Sequence, residues 1–142
     1  MSAPAEGRLT RSYHFSAAHR LESAALSADE NARVYGQCFR PHGHNYYVEV
    51  TVAGPVDPVT GMAGDLGELD ATVKRVLLDR VDHYDLSTTV PALAGVVTTG
   101  ENLARAFWTW IAAALPPGRL RRVAVVETAN NVFEYFGDDE EP

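Results

Sequence analysis

The chain has 142 residues, 46% of them hydrophobic and 22% charged, and it carries a formal net charge of −7. This length and composition predict one compact domain over residues 1–142, with residues 1–7 and 138–142 as loose ends. The acidic balance argues against binding to nucleic acid or to anionic membranes, and no run approaches the roughly 20 apolar residues of a bilayer span.

Two strands are predicted first, with a long excursion between them. The sequence indicates a first strand over Arg8 to Phe15. Residues 16–37 are irregular, with a short helix possible around Asp29 to Tyr35, and long excursions of this kind often carry function. Asn45 to Ala53 is the clearest strand, because its apolar residues alternate with a second, partly polar set.

Two helices are predicted next, each opened by a capping box. Asp65 stands three residues before Glu68, and an apolar stripe then continues to about Val81. Thr98 and Glu101 form the same pattern ahead of a second apolar stripe, which ends at a Pro-Pro-Gly sequence. We therefore expect two amphipathic helices in the middle of the chain.

The last predicted elements are two strands, Leu120 to Thr128 and Val132 to Phe136, joined by a turn. The order strand, strand, helix, helix, strand, strand, with short connections, favours an α+β fold. Its four-stranded antiparallel sheet would carry both helices on one face. Such a sheet leaves two open edges, and an oligomer that pairs those edges would cover them.

Histidines are the first candidates for chemistry. His42 and His44 are two residues apart, so in a strand they share a face and can occupy two corners of a zinc tetrahedron. His19 could supply a third ligand if the two strands are neighbours, which would leave a fourth position open for a water or a substrate hydroxyl. The alternative is that the His-Gly-His sequence is a turn whose rings make surface hydrogen bonds.

Cys38 is the only cysteine and cannot form an internal disulfide, which favours a reducing cytoplasm. It is either a small buried apolar residue or a thiol activated by a metal and a histidine nearby.

Three further residues are candidates for proton transfer or ligand binding. Asp82 and His83 are adjacent and could form a relay in which the carboxylate orients the imidazole, or they could be an ordinary surface pair. Glu127 lies among valines near a strand end, where a carboxylate needs a partner unless it is exposed. A ring that offers two parallel N–H donors, as pterins and guanines do, would be such a partner.

Taken together, these residues resemble the family of 6-pyruvoyl-tetrahydropterin synthases and 6-carboxytetrahydropterin synthases. The resemblance extends from about Tyr13 to Tyr135. It rests on FSAAHRL at Phe15–Leu21, CFRPHGHNY at Cys38–Tyr46, GMAGDL at Gly61–Leu66, VDHYDL at Val81–Leu86, and TTGENLA at Thr98–Ala104 with VVET at Val125–Thr128.

The resemblance implies a role for each candidate residue. It implies the tunnelling fold, assembled as a hexamer of two stacked trimers around a barrel, and a relay pair that reaches the thiol of a neighbouring subunit. The implied zinc ligands are His19, His42 and His44. It also implies that Cys38 is the catalytic thiol and that Asp82 and His83 are its relay. Glu127 would anchor the pterin, and Thr99 and Glu101 would line the pterin pocket.

The family acts on 7,8-dihydroneopterin triphosphate, and its members differ in product. The four-residue step from Cys38 to His42 resembles the queuosine-pathway enzymes, so we expect 6-carboxy-5,6,7,8-tetrahydropterin, with loss of triphosphate and acetaldehyde. The alternative is the 6-pyruvoyl product of tetrahydrobiopterin biosynthesis, which other segments resemble. Two further alternatives are a noncatalytic zinc-containing pterin-binding protein and a purely structural zinc module.

Overall fold

A computed structural model describes residues 5–137, so the predicted loose ends at 1–4 and 138–142 lie outside the described residues. One four-stranded sheet with the order β1-β2-β3-β4 forms the framework, and every neighbouring pair is antiparallel. Its strands are β1 (Glu6–His19), β2 (His42–Pro55), β3 (Leu120–Thr128) and β4 (Asn131–Tyr135).

The first two strands are longer than predicted. β1 begins at Glu6, so the expectation that residues 6 and 7 are loose was wrong. It also continues through His19, and β2 already begins at His42. The extra length follows from pairing: residues 6–19 of β1 are in continuous antiparallel register with residues 42–55 of β2.

The helices are α1 (Ala28–Tyr35), α2 (Leu66–Val73), α3 (Asp79–Val81) and α4 (Gly100–Ala112). A π-helical turn, Lys74–Leu78, joins α2 to α3, so the helical run ends at the predicted residue. Short 3₁₀ turns cover Gly36–Phe39 and Pro91–Leu93. No helix within residues 5–137 combines the length and the apolar character needed to cross a membrane.

Side-chain caps begin the helices. Asp65 accepts a hydrogen bond from the backbone N–H of Glu68, as predicted. The cap of α4 is Thr99, which accepts from the N–H of Asn102, so the prediction of Thr98 was wrong by one residue. Thr98 is instead buried against the candidate site described below.

The core lies between the helices and one face of the sheet. It contains Phe15 of β1, Tyr46 and Val48 of β2, and Leu103 and Phe107 of α4, all fully buried. Burial of each such apolar side chain contributes about 1.5–3 kcal/mol before the cost of ordering the chain. This packing confirms the predicted α+β arrangement and fixes the strand ends that carry the histidines.

The other face of the sheet is partly polar. Arg122 lies at its centre and donates hydrogen bonds to Glu49 at 3.0 Å and to Glu134 at 2.6 Å. The Thr10 and Thr51 hydroxyls are 2.7 Å apart across β1 and β2. These side chains satisfy one another on a face that the helices do not cover.

Candidate functional site

Three histidines meet where β1 ends and β2 begins. His19 is directly opposite His42 in the register, and Ala17 is opposite His44, so all three rings lie on the helix-covered face. One potential ligand atom from each ring lies within 4.8 Å of the others. The ring centroids are separated by 4.6 Å, 5.2 Å and 4.9 Å. The structure therefore brings together the three residues predicted as metal ligands.

Carbonyl groups orient two of the rings. Nδ1 of His19 is 3.0 Å from the carbonyl oxygen of Thr98, and Nδ1 of His42 is 2.7 Å from that of Arg40. A carbonyl oxygen can only accept, so each Nδ1 carries the proton and each Nε2 keeps its lone pair. This is the arrangement by which outer groups orient histidine ligands of a metal.

Burial disfavours the charged form of two of the rings. The side chain of His19 is 1% exposed, and this burial, followed by the neighbouring rings of His42 and His44, lowers its pKa to about 4. Burial also lowers the pKa of His44. Within residues 5–137, the buried Nε2 of His44 has no hydrogen-bond partner. Three clustered imidazoles, two of them with lowered pKa values, and an unpartnered buried nitrogen fit a zinc ion, which binds neutral histidine.

Glu127 lies against the same cluster. Its Oε2 is 3.9 Å from Nε2 of both His19 and His44, too long for a hydrogen bond, and its side chain is 16% exposed. The β3–β4 register shifts between Val126 and Thr128, so Glu127 occupies a bulge, a feature that redirects side chains. Burial and then the charge of Glu127 raise the pKa of Tyr46, which lies beneath the histidines.

Asp82 and His83 form a pair beside the outer edge of β1, where residues 83–86 hydrogen-bond to Ser16 and Ala18. Oδ1 of Asp82 is 2.9 Å from Nδ1 of His83 and accepts a 3.0 Å hydrogen bond from the Ser16 N–H. That N–H is the largest cause of a lowered pKa of Asp82. The N–H of His83 donates to the Ser16 carbonyl at 2.6 Å, and His83 has a positive φ of 67°. The contact between carboxylate and imidazole that the predicted relay requires is therefore present, on an exposed edge.

Cys38 lies apart from that pair. It is in the 3₁₀ turn Gly36–Phe39, where its carbonyl accepts from the N–H of Leu21 at 2.8 Å. Arg20 stacks on the neighbouring ring of Phe39 with Cζ 4.6 Å from its centroid. Within residues 5–137, no hydrogen bond or ion pair joins Cys38 to Asp82 or His83, so one chain does not by itself connect the predicted thiol to its predicted relay.

The start of α4 contributes a residue that the sequence predicted only as a helix cap and not as part of the site. Thr98 is 1% exposed, and both its carbonyl oxygen and its Oγ1, at 3.2 Å, contact Nδ1 of His19. Thr99 caps the helix and Glu101 is exposed in its first turn. The signal for Thr98 was its position beside the Thr-Gly-Glu-Asn segment, but only the tertiary structure places it on a histidine.

Comparison with known proteins identifies the family. The family model described as 6-pyruvoyl tetrahydropterin synthase matches residues 8–138. The 6-pyruvoyl tetrahydrobiopterin synthase of Poecilia reticulata is 47% identical over 139 residues, covering 95% of each chain. The structure of the Caenorhabditis elegans 6-pyruvoyl tetrahydropterin synthase matches with a TM-score of 0.91 and 38% identity, over 96% of this chain and 99% of that one.

A protein named for the other product is more distant. The 6-carboxy-5,6,7,8-tetrahydropterin synthase of Synechocystis sp. is 29% identical over 130 residues, covering 89% of this chain and 90% of that protein. The four-residue step from Cys38 to His42 therefore does not outweigh the similarity along the whole chain. The family model matches residues 8–138, and the similar proteins named above share the sequence and the fold. The chain therefore belongs to the 6-pyruvoyl tetrahydropterin synthase family.

Proposed function

We propose that the chain is a zinc-dependent 6-pyruvoyl tetrahydropterin synthase, which eliminates triphosphate from 7,8-dihydroneopterin triphosphate. The observation that carries this proposal is the cluster of three imidazoles beside the carboxylate of Glu127. The higher identity to proteins named for the pyruvoyl product favours this product over the carboxy product expected from the Cys38–His42 spacing.

His19, His42 and His44 would hold the zinc ion. When bound there, it would supply Lewis acidity toward the hydroxyl groups of the substrate side chain. The chain's own contribution is to lower the pKa values of His19 and His44 by burial and to orient the rings of His19 and His42 through backbone carbonyls. Burial of the cluster also excludes water from one side of the reacting carbons.

Glu127 would bind the pterin. Its two carboxylate oxygens can accept the parallel N–H groups of the pterin ring, a pairing that fixes the ring's orientation. Thr99 and Glu101, at the start of α4, would line the same pocket. The side chain of the substrate would then extend from Glu127 toward the three histidines. Oε2 of Glu127 is 3.9 Å from Nε2 of His19 and from Nε2 of His44.

Cys38 would move the proton. As a thiolate, Sγ removes a proton from a side-chain carbon that bears a hydroxyl, and protons are returned to the pterin ring. Oxidation of the two side-chain carbinol carbons to carbonyls releases four electrons. Two of them reduce the ring from the dihydro to the tetrahydro level, and two are taken up at the terminal side-chain carbon, which becomes a methyl group as triphosphate leaves with the electron pair of its C–O bond. The reaction is therefore balanced without nicotinamide. Asp82 would orient His83, which exchanges the proton with Sγ.

We further propose that the active form is an oligomer, which the family resemblance predicts as a hexamer. β1 and β4 are the two edges of the sheet, and unpaired edges favour association. In addition, Asp82 and His83 lie on the β1 edge while Cys38 lies in a turn with which they make no hydrogen bond or ion pair within residues 5–137. A site shared by two chains would bring the thiol and the relay together.

The test is to incubate the zinc-loaded protein with 7,8-dihydroneopterin triphosphate, without reductant or nicotinamide, and to identify the products by mass spectrometry. We expect 6-pyruvoyl tetrahydropterin and triphosphate. A carboxypterin with acetaldehyde would instead support the queuosine-pathway reaction. Unchanged substrate with a folded, zinc-containing oligomer would support a noncatalytic pterin-binding protein, and unfolding upon chelation would support a structural zinc module.

A further inference from the structure

One aromatic ring of β4 fills the space beside the first residue of α4. A Cβ at Gly100 would overlap the ring of Phe133 and come within 2.5 Å of its Cγ, whereas carbon atoms in contact are about 3.5–4.0 Å apart. Gly100 is buried and helical, a position in which glycine is unfavourable compared with alanine. The absence of a side chain at Gly100 therefore allows Phe133 to pack directly against the helix.

The segment that begins α4 also contacts the histidine cluster. Thr98 contacts Nδ1 of His19 through its carbonyl oxygen at 3.0 Å and its hydroxyl at 3.2 Å. Asn102 holds the segment in shape, because its side-chain amide donates to the Val97 carbonyl at 2.9 Å and its N–H donates to the Oγ1 of Thr99. The segment from Val97 to Asn102 is thus a compact unit that contacts His19 through Thr98 and Phe133 through Gly100.

We propose that Phe133 is a positioning residue for the metal centre: its ring, packed on Gly100, sets the position of the α4 start and so of the Thr98 oxygen atoms whose contacts with Nδ1 orient His19. This inference rests on the proposed function only in taking the three histidines as metal ligands. The link from Phe133 to His19 rests on direct contacts in one chain.

The test is the affinity of the metal-free protein for Co²⁺, measured from the visible absorption of the bound ion, together with the melting temperature of the metal-free protein. Gly100→Ala forces the ring and the helix start apart, and we expect about tenfold weaker Co²⁺ binding, as for the loss of an outer group that orients a ligand. Gly67→Ala is the matched control, because Gly67 lies in the first turn of α2 and a Cβ there meets only Asp65 Oδ1, at 3.4 Å. It should leave the affinity unchanged.

A second substitution separates positioning from general destabilisation. Phe133→Val removes the ring, so Gly100→Ala combined with Phe133→Val should bind Co²⁺ more tightly than Gly100→Ala alone. If Gly100→Ala does not fold, Phe133→Val alone tests the same contact by removing the ring instead of crowding it. This variant should weaken Co²⁺ binding several-fold.

Two results would overturn the proposal: a Gly100→Ala protein that melts earlier but binds Co²⁺ as the unmodified chain does, or a double variant no better than Gly100→Ala. Failure of the proposed metal site is a separate result, because then the unmodified chain itself would bind no Co²⁺.

Discussion

The histidine cluster and the Asp82–His83 pair lie near the same end of β1 but are built in opposite ways. The side chain of His19 is 1% exposed, whereas that of His83 is 82% exposed. The cluster is completed by two strands and the segment that begins α4 of one chain, and burial lowers the pKa values of His19 and His44. The exposed pair is anchored by hydrogen bonds to the backbone of Ser16. Under the proposed function, we therefore expect metal binding to need one chain and proton transfer to need a second surface.

Removing a ligand from the buried region should have the largest effect. We expect His19→Ala to abolish stoichiometric zinc binding and to reduce turnover to background, because two imidazoles leave the tetrahedral site incomplete. Metal content after dialysis and product formation measure the two effects. A His19→Ala protein that keeps both zinc and activity would contradict the assignment of the cluster.

The exposed region offers a test of the shared site. Cys38→Ala and His83→Ala should each lower turnover by about 10²–10⁴-fold with unchanged zinc content, the range for loss of general acid–base catalysis. If the thiol and the relay come from different chains, an oligomer that contains both variants has some intact sites. Co-expression of the two variants should therefore restore part of the activity, and a mixture as inactive as either variant alone would indicate a site within one chain.

The pH dependence of stability should report on the buried region. In the metal-free protein, His19 has an ordinary pKa of 6.5 when unfolded and about 4 when folded. Between these values the unfolded state binds more protons, so the free energy of unfolding should fall as the pH is lowered from 6.5 to 4, by up to about 3 kcal/mol. His44 acts in the same direction. Denaturant titrations should show this slope, and His19→Gln should reduce it; an equal slope in both proteins would assign it to other groups.

The smallest effect is expected at the group that orients the buried ring. Thr98→Val keeps the side-chain volume and the carbonyl contact to His19 but removes the hydroxyl contact. Loss of one hydrogen bond is worth about 1 kcal/mol, which corresponds to about fivefold in metal affinity. Titration with Co²⁺ measures it. A loss as large as that for His19→Ala would mean that the carbonyl contact does not suffice to orient the ring.

The sequence predicted the parts of the site that depend on local periodicity. His42 and His44 follow from the two-residue period of a strand, and Asp82 with His83 from adjacency. The approach of His19 to His42 depends on strand register across an excursion of more than 20 residues, which no local pattern determines. The sequence therefore offered His19 as a third ligand only on the condition that the two strands are neighbours, and the family resemblance implied the same ligand.

Other features were decided by tertiary contacts. Thr98 and Thr99 are equally good capping residues, and the sequence favoured Thr98 because Glu101 follows it by three residues. In the structure Thr98 is buried on His19, and Thr99 takes the cap. The local sequence also did not predict the bulge at Glu127, because the bulge arises from the pairing of β3 with β4.

The direct opposition of His19 and His42 has a mechanical consequence for the intervening segment. Residues 20–41 form a closed loop whose base is this pair, and Cys38 is anchored just above the base through its carbonyl and the N–H of Leu21. A metal bound by both histidines would hold the two ends of this loop together. Separation of the strand ends would then release the ion and also displace the thiol, so metal occupancy and the position of the thiol would be coupled.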